Sequence, residues 1–193
     1  MQSLKMIGIS GTNGAGKDTV GDFLAKDHGW LFVSVTDILR DELKRRDLPI
    51  ERKNLRMVST EWRRQYGLGV LIDKAVKIFE KQSEKYKGLA IASLRNPGEA
   101  DRVHELGGKV VWVDADPKIR YQRIYSRARG TEDKKTFEEF IREEKDEMTH
   151  SGDHHTLSMA DVLAKSDIVI QNNSDNMKKF GSVIEQALGL DKP

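Results

Sequence analysis

Nine residues, Gly11-Thr12-Asn13-Gly14-Ala15-Gly16-Lys17-Asp18-Thr19, constrain this chain more than any other stretch. An apolar run, Met6-Ile7-Gly8-Ile9-Ser10, leads into them, and a helical pattern with Val20, Phe23 and Leu24 on one face follows. Strand, glycine-rich turn and lysine at a helix start are the setting in which a backbone loop wraps a phosphate. The glycines let successive N–H groups converge on an anion without Cβ clashes. The helix N-terminus adds partial positive charge and Lys17 a full one. The spacing fits G-x-x-x-x-G-K, but Asp18 stands where Ser or Thr usually holds magnesium, and Thr19 comes one residue later.

The rest of the chain alternates strands and helices. Residues 5–10, 30–35, 89–93, 109–114 and 168–170 read as strands. Residues 16–28, 38–46, 51–66, 69–86, 97–107, 116–127, 137–148, 156–164 and 175–189 read as helices. Thr36 or Asp37 is the expected cap of the second helix and Thr136 that of the acidic one. In the inserted pair, Leu55, Val58, Trp62 and Tyr66 fall near helical spacing, as do Val70, Leu71, Ala75, Ile78 and Phe79. Strands apolar on both faces call for a parallel sheet covered on both sides, an α/β fold with one domain over residues 1–193. The mostly helical stretch at about 36–86 is longer than a simple crossover and reads as an inserted binding segment. Ligands are expected at the carboxyl ends of the strands, where the glycine loop, Asp37, Arg95 and Asp114 fall.

Charge narrows the function classes. The 33 basic and 31 acidic residues leave a formal net charge of +2, so nothing demands nucleic acid as a partner. There are no cysteines, which excludes disulfides, thiolate metal sites and cysteine nucleophiles. No apolar run approaches membrane-spanning length and no signal peptide is evident, so the expected location is the cytoplasm and no membrane partner is expected.

Two basic clusters are candidates for phosphate chemistry. Arg120, Arg123 and Arg127 recur at i, i+3 and i+7, which puts three guanidiniums on one helical face ahead of Arg129. They match the charge that spreads over oxygens in phosphoryl transfer, or else pair with the acidic run Glu138 to Glu147. Arg40, Arg63, Arg64 and Arg95 form the second group; Arg40 and Arg95 sit near predicted strand ends. The acidic run itself reads as a solvated helix face. Trp30, Trp62 and Trp112 read as core, and His150, His154 and His155 match no metal-ligand spacing.

The glycine loop together with Ser34-Val35-Thr36-Asp37-Ile38-Leu39-Arg40 resembles the adenylate kinase pattern. The likeness continues through Arg46-Asp-Leu-Pro-Ile-Glu-Arg-Lys-Asn-Leu55, Glu61-Trp-Arg-Arg-Gln-Tyr-Gly67, Leu94-Arg-Asn-Pro-Gly-Glu99 and Asp167-Ile-Val-Ile-Gln-Asn172. These stretches resemble a branch of small P-loop nucleotide kinase-like proteins related to adenylate kinase, dephospho-CoA kinase and deoxynucleoside monophosphate kinase. That resemblance implies a five-stranded parallel sheet in the order 2-3-1-4-5, a helical acceptor-binding insert and a short lid at about 128–136. It implies that Lys17 contacts the β- and γ-phosphates of ATP while the amides of Asn13, Gly14, Ala15, Gly16, Lys17, Asp18 and Thr19 cradle the donor. Arg40 would hold the acceptor's phosphate, Arg95 would bridge donor and acceptor, and Arg123, Arg127 and Arg129 would belong to the lid. Asp37 would lie near magnesium, and Asn172 beside the donor base.

Two departures matter. Thr36 replaces a glycine of the adenylate kinase pattern, and Ala92 stands where relatives carry an aspartate after the third strand (Ala-Ser-Leu-Arg for Asp-Gly-Ile-Arg). Asp18 or Asp37 is therefore the candidate carboxylate for Mg2+. The implied activity is transfer of the γ-phosphoryl of ATP to a small nucleotide-like acceptor, first a (deoxy)nucleoside monophosphate and second dephospho-CoA, by a monomer or weak homo-oligomer. A P-loop ATPase or regulatory nucleotide-binding protein without a small acceptor is the rival, kept alive by Ala92.

Overall fold

The structure is a computed structural model that describes residues 5–127, 136–148 and 152–190. Five parallel strands run β1 (Met6–Gly11), β2 (Leu31–Ser34), β3 (Leu89–Ala92), β4 (Lys109–Asp114) and β5 (Ile168–Gln171), in the order β2-β3-β1-β4-β5. The order 2-3-1-4-5 implied by the resemblance is the one observed.

β1 is central and buried along its whole length. Its side chains alternate between two cores, as period-2 geometry requires. Met6 packs into one core with Leu89, Ile91, Val110 and Trp112. Ile7 and Ile9 pack into the other with Ala90, Ala92, Val111 and Val113. The first core is closed by α2 (Val35–Arg45), α3 (Arg52–Tyr66), α4 (Val70–Glu80), α5 (Pro97–Glu105) and α8 (Met159–Ala164). The second is closed by α1 (Lys17–His28) through Val20 and Leu24, and by α9 (Met177–Leu188) through Phe180 and Ile184. All three tryptophans are buried.

Between these, α6 (Pro117–Arg127) packs on α7 (Phe137–Met148), with Tyr121 edge-on to Phe137 at 5.5 Å and Ile124 and Phe140 buried. Thr136 and Glu139 form the expected reciprocal cap of α7.

Several boundaries move. β2 ends at Ser34 and α2 starts at Val35 with Ser34 as its cap, so neither Thr36 nor Asp37 is the cap. Val35 is drawn into the helix because its side chain is buried in the core, 3% exposed. The fourth helix stops at Glu80, followed by a single 3-10 turn over Ser83–Lys85. Tyr66, expected on the packed face, is 59% exposed, because it is the last residue of α3, where Gly67 (φ +95°) turns the chain away. The helix expected over 156–164 begins only at Met159, because residues before it turn through Thr156 N–H to Asp153 O. The expected lid at about 128–136 falls almost wholly outside the described residues. Among the described residues no helix is long and apolar enough to cross a membrane.

Candidate phosphate-binding site

The site forms where β1 gives way to α1. Gly11 leaves the strand at φ +141°, and a Cβ there would lie 2.0 Å from the Val113 carbonyl oxygen. Gly14 and Gly16 follow with φ of +80° and +99°, values that L side chains resist. Lys17 then opens α1, and its Nζ folds back over the loop, donating to the Gly11 and Thr12 carbonyls at 2.9 and 2.7 Å. The loop's carbonyls hold the ammonium where a bound phosphate would otherwise meet it.

The loop is braced from β4 and β5. Thr12 Oγ1 donates to Asp114 Oδ1 at 2.7 Å. Asn172, 5% exposed, donates from Nδ2 to the Ala15 carbonyl at 2.7 Å, and its backbone N–H donates to the Asp114 carbonyl at 2.7 Å. The Asn172 side chain therefore packs under the loop, where a Cβ on Gly16 would come within 2.6 Å of it.

Arg95 is aimed by the turn after β3. Ser93 adopts a left-handed φ of +71°, Leu94 is buried, and the Leu94 carbonyl accepts from Ser10 Oγ at 2.7 Å. This turn substitutes Ser for the glycine that such a φ favours, at a cost of about 1 kcal/mol. The Arg95 backbone is pinned on both sides: its N–H donates to Glu99 Oε2 at 2.7 Å and its carbonyl accepts from Ser158 N–H at 2.9 Å. Its side chain is left to reach Glu147 Oε2 at 3.4 Å.

The electrostatics couple these groups. Burial above all, then Arg95 and Arg120, lowers the Lys17 ammonium to about 8, against the opposing pull of Asp18 and Glu147. For Glu147, burial works to raise the carboxyl, but Arg95, Arg52, Arg56 and Lys17 together hold it below its ordinary value.

A phosphate on the loop adds negative charge beside Lys17 and raises its pKa. Nucleotide binding is then expected to take up a proton above about pH 8, and affinity falls as pH rises through that value. Calorimetry in buffers of different ionisation enthalpy, between about pH 7 and pH 9.5, checks this; affinity flat across that window would contradict it.

The other expected site residues divide. Arg40 pairs with Asp37 at 2.7 Å on an exposed helix face. Asp18 lies exposed in the first turn of α1. Arg120 is not free for substrate: it is 2% exposed, donates from Nε to the Ala115 carbonyl and forks onto Glu144, so here the pairing with the acidic run prevails. Arg123 donates to the Asn172 and Ser174 carbonyls at 2.9 and 3.1 Å. Arg63 is buried against Glu99, and Arg64 pairs with Asp153. The side chain of Arg127, and Arg129 and His150 entirely, lie outside the described residues.

The solvated-face reading of the acidic run holds for Glu138, Glu139 and Asp146, which are exposed, and fails for Glu144 and Glu147, which are partly buried. Glu143, Glu144 and Glu147 of α7 each meet an arginine, Arg52, Arg120 and Arg56 respectively. Arg52, Arg56 and Glu147 were not anticipated. The signal was present as arginines at i and i+4 on α3 facing carboxylates at i and i+4 on α7, but pairing across 91 residues is invisible to local periodicity.

Among known proteins, a family profile described as AAA domain matches residues 7–150. A UPF0200 protein of Pyrococcus abyssi is 29% identical over 181 residues, covering 92% of this chain and 91% of the relative. A UPF0200 protein of Pyrobaculum aerophilum is 27% identical over 188 residues, covering 96% and 95%. Among solved structures, shikimate kinase from Bacteroides thetaiotaomicron superposes with a TM-score of 0.56 at 14% identity, covering 96% of this chain and 99% of that one. Shikimate kinase from Acinetobacter baumannii in complex with shikimate gives 0.56 at 18% identity, covering 97% and 95%. The fold is thus that of the P-loop kinases.

Proposed function

Because the chain belongs to the AAA domain family, and its glycine loop closes on a lysine, we propose that it is an ATP-dependent phosphotransferase acting on a small nucleotide-like acceptor. The observation that carries this reading is the glycine loop closed on the Lys17 ammonium at the carboxyl end of β1, with the Arg95 backbone pinned just beyond the carboxyl end of the neighbouring β3. Two like charges are brought together there at a cost, and that cost is recovered when polyanionic substrates neutralise both.

In this reading, an oxygen of the acceptor attacks the γ-phosphorus in line. The new P–O bond forms as the bond to the β–γ bridging oxygen breaks, and ADP leaves. Lys17 and the loop amides from Asn13 to Thr19 stabilise charge on the donor, while Arg95 spans both substrates. Asp18 or Asp37 would hold Mg2+, a hard cation needing only one or two protein carboxylates, which when bound would supply charge stabilisation. Asp18 suits that role because its carboxylate is exposed at the loop, whereas one oxygen of Asp37 is engaged by Arg40. The acceptor is first a (deoxy)nucleoside monophosphate, then dephospho-CoA.

The test is ADP formation, with and without Mg2+, across nucleoside monophosphates, dephospho-CoA and shikimate. Acceptor-dependent turnover with a nucleotide-like compound supports the proposal. Acceptor-independent turnover would point to a nucleotide-hydrolysing regulator, the alternative favoured by Ala92 standing at the end of β3 without a carboxylate.

A further inference from the structure

Helix α3 carries Arg52 and Arg56 one turn apart, and α7 carries Glu143 and Glu147 one turn apart. The two helices meet through Arg52–Glu143 at 3.6 Å and Arg56–Glu147 at 3.3 Å. The second oxygen of Glu147 reaches Arg95 at 3.4 Å. Glu147 thus sits between two guanidiniums from different elements.

The quality of these contacts is informative. Ion pairs that hold the insert together are short: Arg46–Glu61 at 2.7 and 2.8 Å, and Arg63–Glu99 at 2.7 Å. Glu147 makes one long contact to each arginine instead, outside the usual range of about 2.7–2.9 Å for charge-assisted bonds. A single carboxylate cannot offer both guanidiniums a fork, whereas a tetrahedral phosphate presents three oxygens in different directions. Arg56 also borders a shallow, open depression along α3 lined by Lys53, Met57 and Arg64, so its side chain is reachable from solvent.

We propose that Arg56 and Arg95 form the seat for the acceptor's phosphate monoester, with Arg52 adding positive charge from one turn away on α3, and that Glu147 is the chain's own occupant, displaced when the acceptor binds. The word acceptor rests on the phosphotransferase reading; the anion seat itself does not. The seat is distinct from Arg40, whose guanidinium donates to Asp37 on the same exposed helix face. Glu147 acts as an internal competitor, and it lowers apparent affinity by the fraction of time it fills the seat.

The test is calorimetric titration of inorganic phosphate and 5′-AMP, without ATP, in a Lys17→Met background that impairs the glycine loop as a second phosphate site. Glu147→Gln is expected to tighten both ligands about fivefold, and Arg56→Gln to weaken them about fivefold. The double variant loses the gain. Unchanged or weaker binding in a Glu147→Gln protein with normal melting behaviour would overturn the proposal. If that variant does not fold, Arg56→Gln decides, since this side chain is 55% exposed; phosphate binding indifferent to it overturns the seat. Tight binding of shikimate with no phosphate binding would overturn the phosphate assignment. Phosphate binding that follows these variants, in a protein with no transfer activity, would sink the kinase reading alone.

Discussion

Replacing Lys17 with methionine is expected to lower phosphoryl transfer by about 10²–10³-fold while the protein melts at a higher temperature near neutral pH. The first effect follows, on the proposed phosphotransferase reading, from removing the positive charge that would face the donor phosphates from the loop. The second follows from the cost of housing that charge. Burial and Arg95 place the folded-state pKa at about 8, below the ordinary lysine value of 10.5. Below about pH 8 the ammonium is protonated in both folded and unfolded chains, so the folded state carries the whole penalty. Between about 8 and 10.5 the unfolded chain binds more protons, so wild-type stability rises with pH through that window. The methionine variant should lack that slope. Thermal melts at several pH values read it directly. A variant that loses activity together with stability would mark Lys17 as a structural residue instead.

Glu99 is the group whose loss should cost the fold most. It is 0% exposed and accepts four hydrogen bonds, from Arg63 Nε and Nη2 at 3.2 and 2.7 Å and from the Arg95 and Asn96 backbone at 2.7 and 3.1 Å. Glu99→Gln leaves the buried Arg63 guanidinium without its counter-charge and points an N–H at another donor. The expected loss is about 3–5 kcal/mol, read as a melting temperature lower by about 10 °C or more. Because Glu99 also holds the Arg95 backbone, transfer activity should fall even where the variant remains folded. Wild-type melting in Glu99→Gln would show that the insert is held by packing alone. Replacing Arg63 and Glu99 together with apolar residues should restore only part of the stability, since no unpaired charge then remains but the Arg95 and Asn96 N–H groups lose their acceptor.

Some of this was legible in the sequence and some was not, for physical reasons. The strands and the glycine loop follow from local rules: period-2 burial, positive-φ glycines and the lysine at a helix start are properties of consecutive residues. The capping of α7 by Thr136 and Glu139 was legible for the same reason. Arg63 and Arg120 looked like candidates for phosphate because arginines cluster in sequence, yet both are consumed by carboxylates from distant elements, Glu99 and Glu144. Glu147 was dismissed with its neighbours because composition alone cannot tell which members of a charged run face inward. Asn172 was placed beside the donor by resemblance; the structure adds the bond to Ala15 that makes it a prop under the loop.

The central claim is that Lys17 and Arg95 serve two substrates in one transfer reaction. The direct measurement follows the γ-phosphoryl label of ATP by mass spectrometry in the presence of each nucleoside monophosphate and of dephospho-CoA. The account predicts that label appears on one of these acceptors, with ADP in equal amount, and that Lys17→Met slows its appearance by about 10²–10³-fold. Label released only as inorganic phosphate, at a rate no acceptor changes, would contradict it.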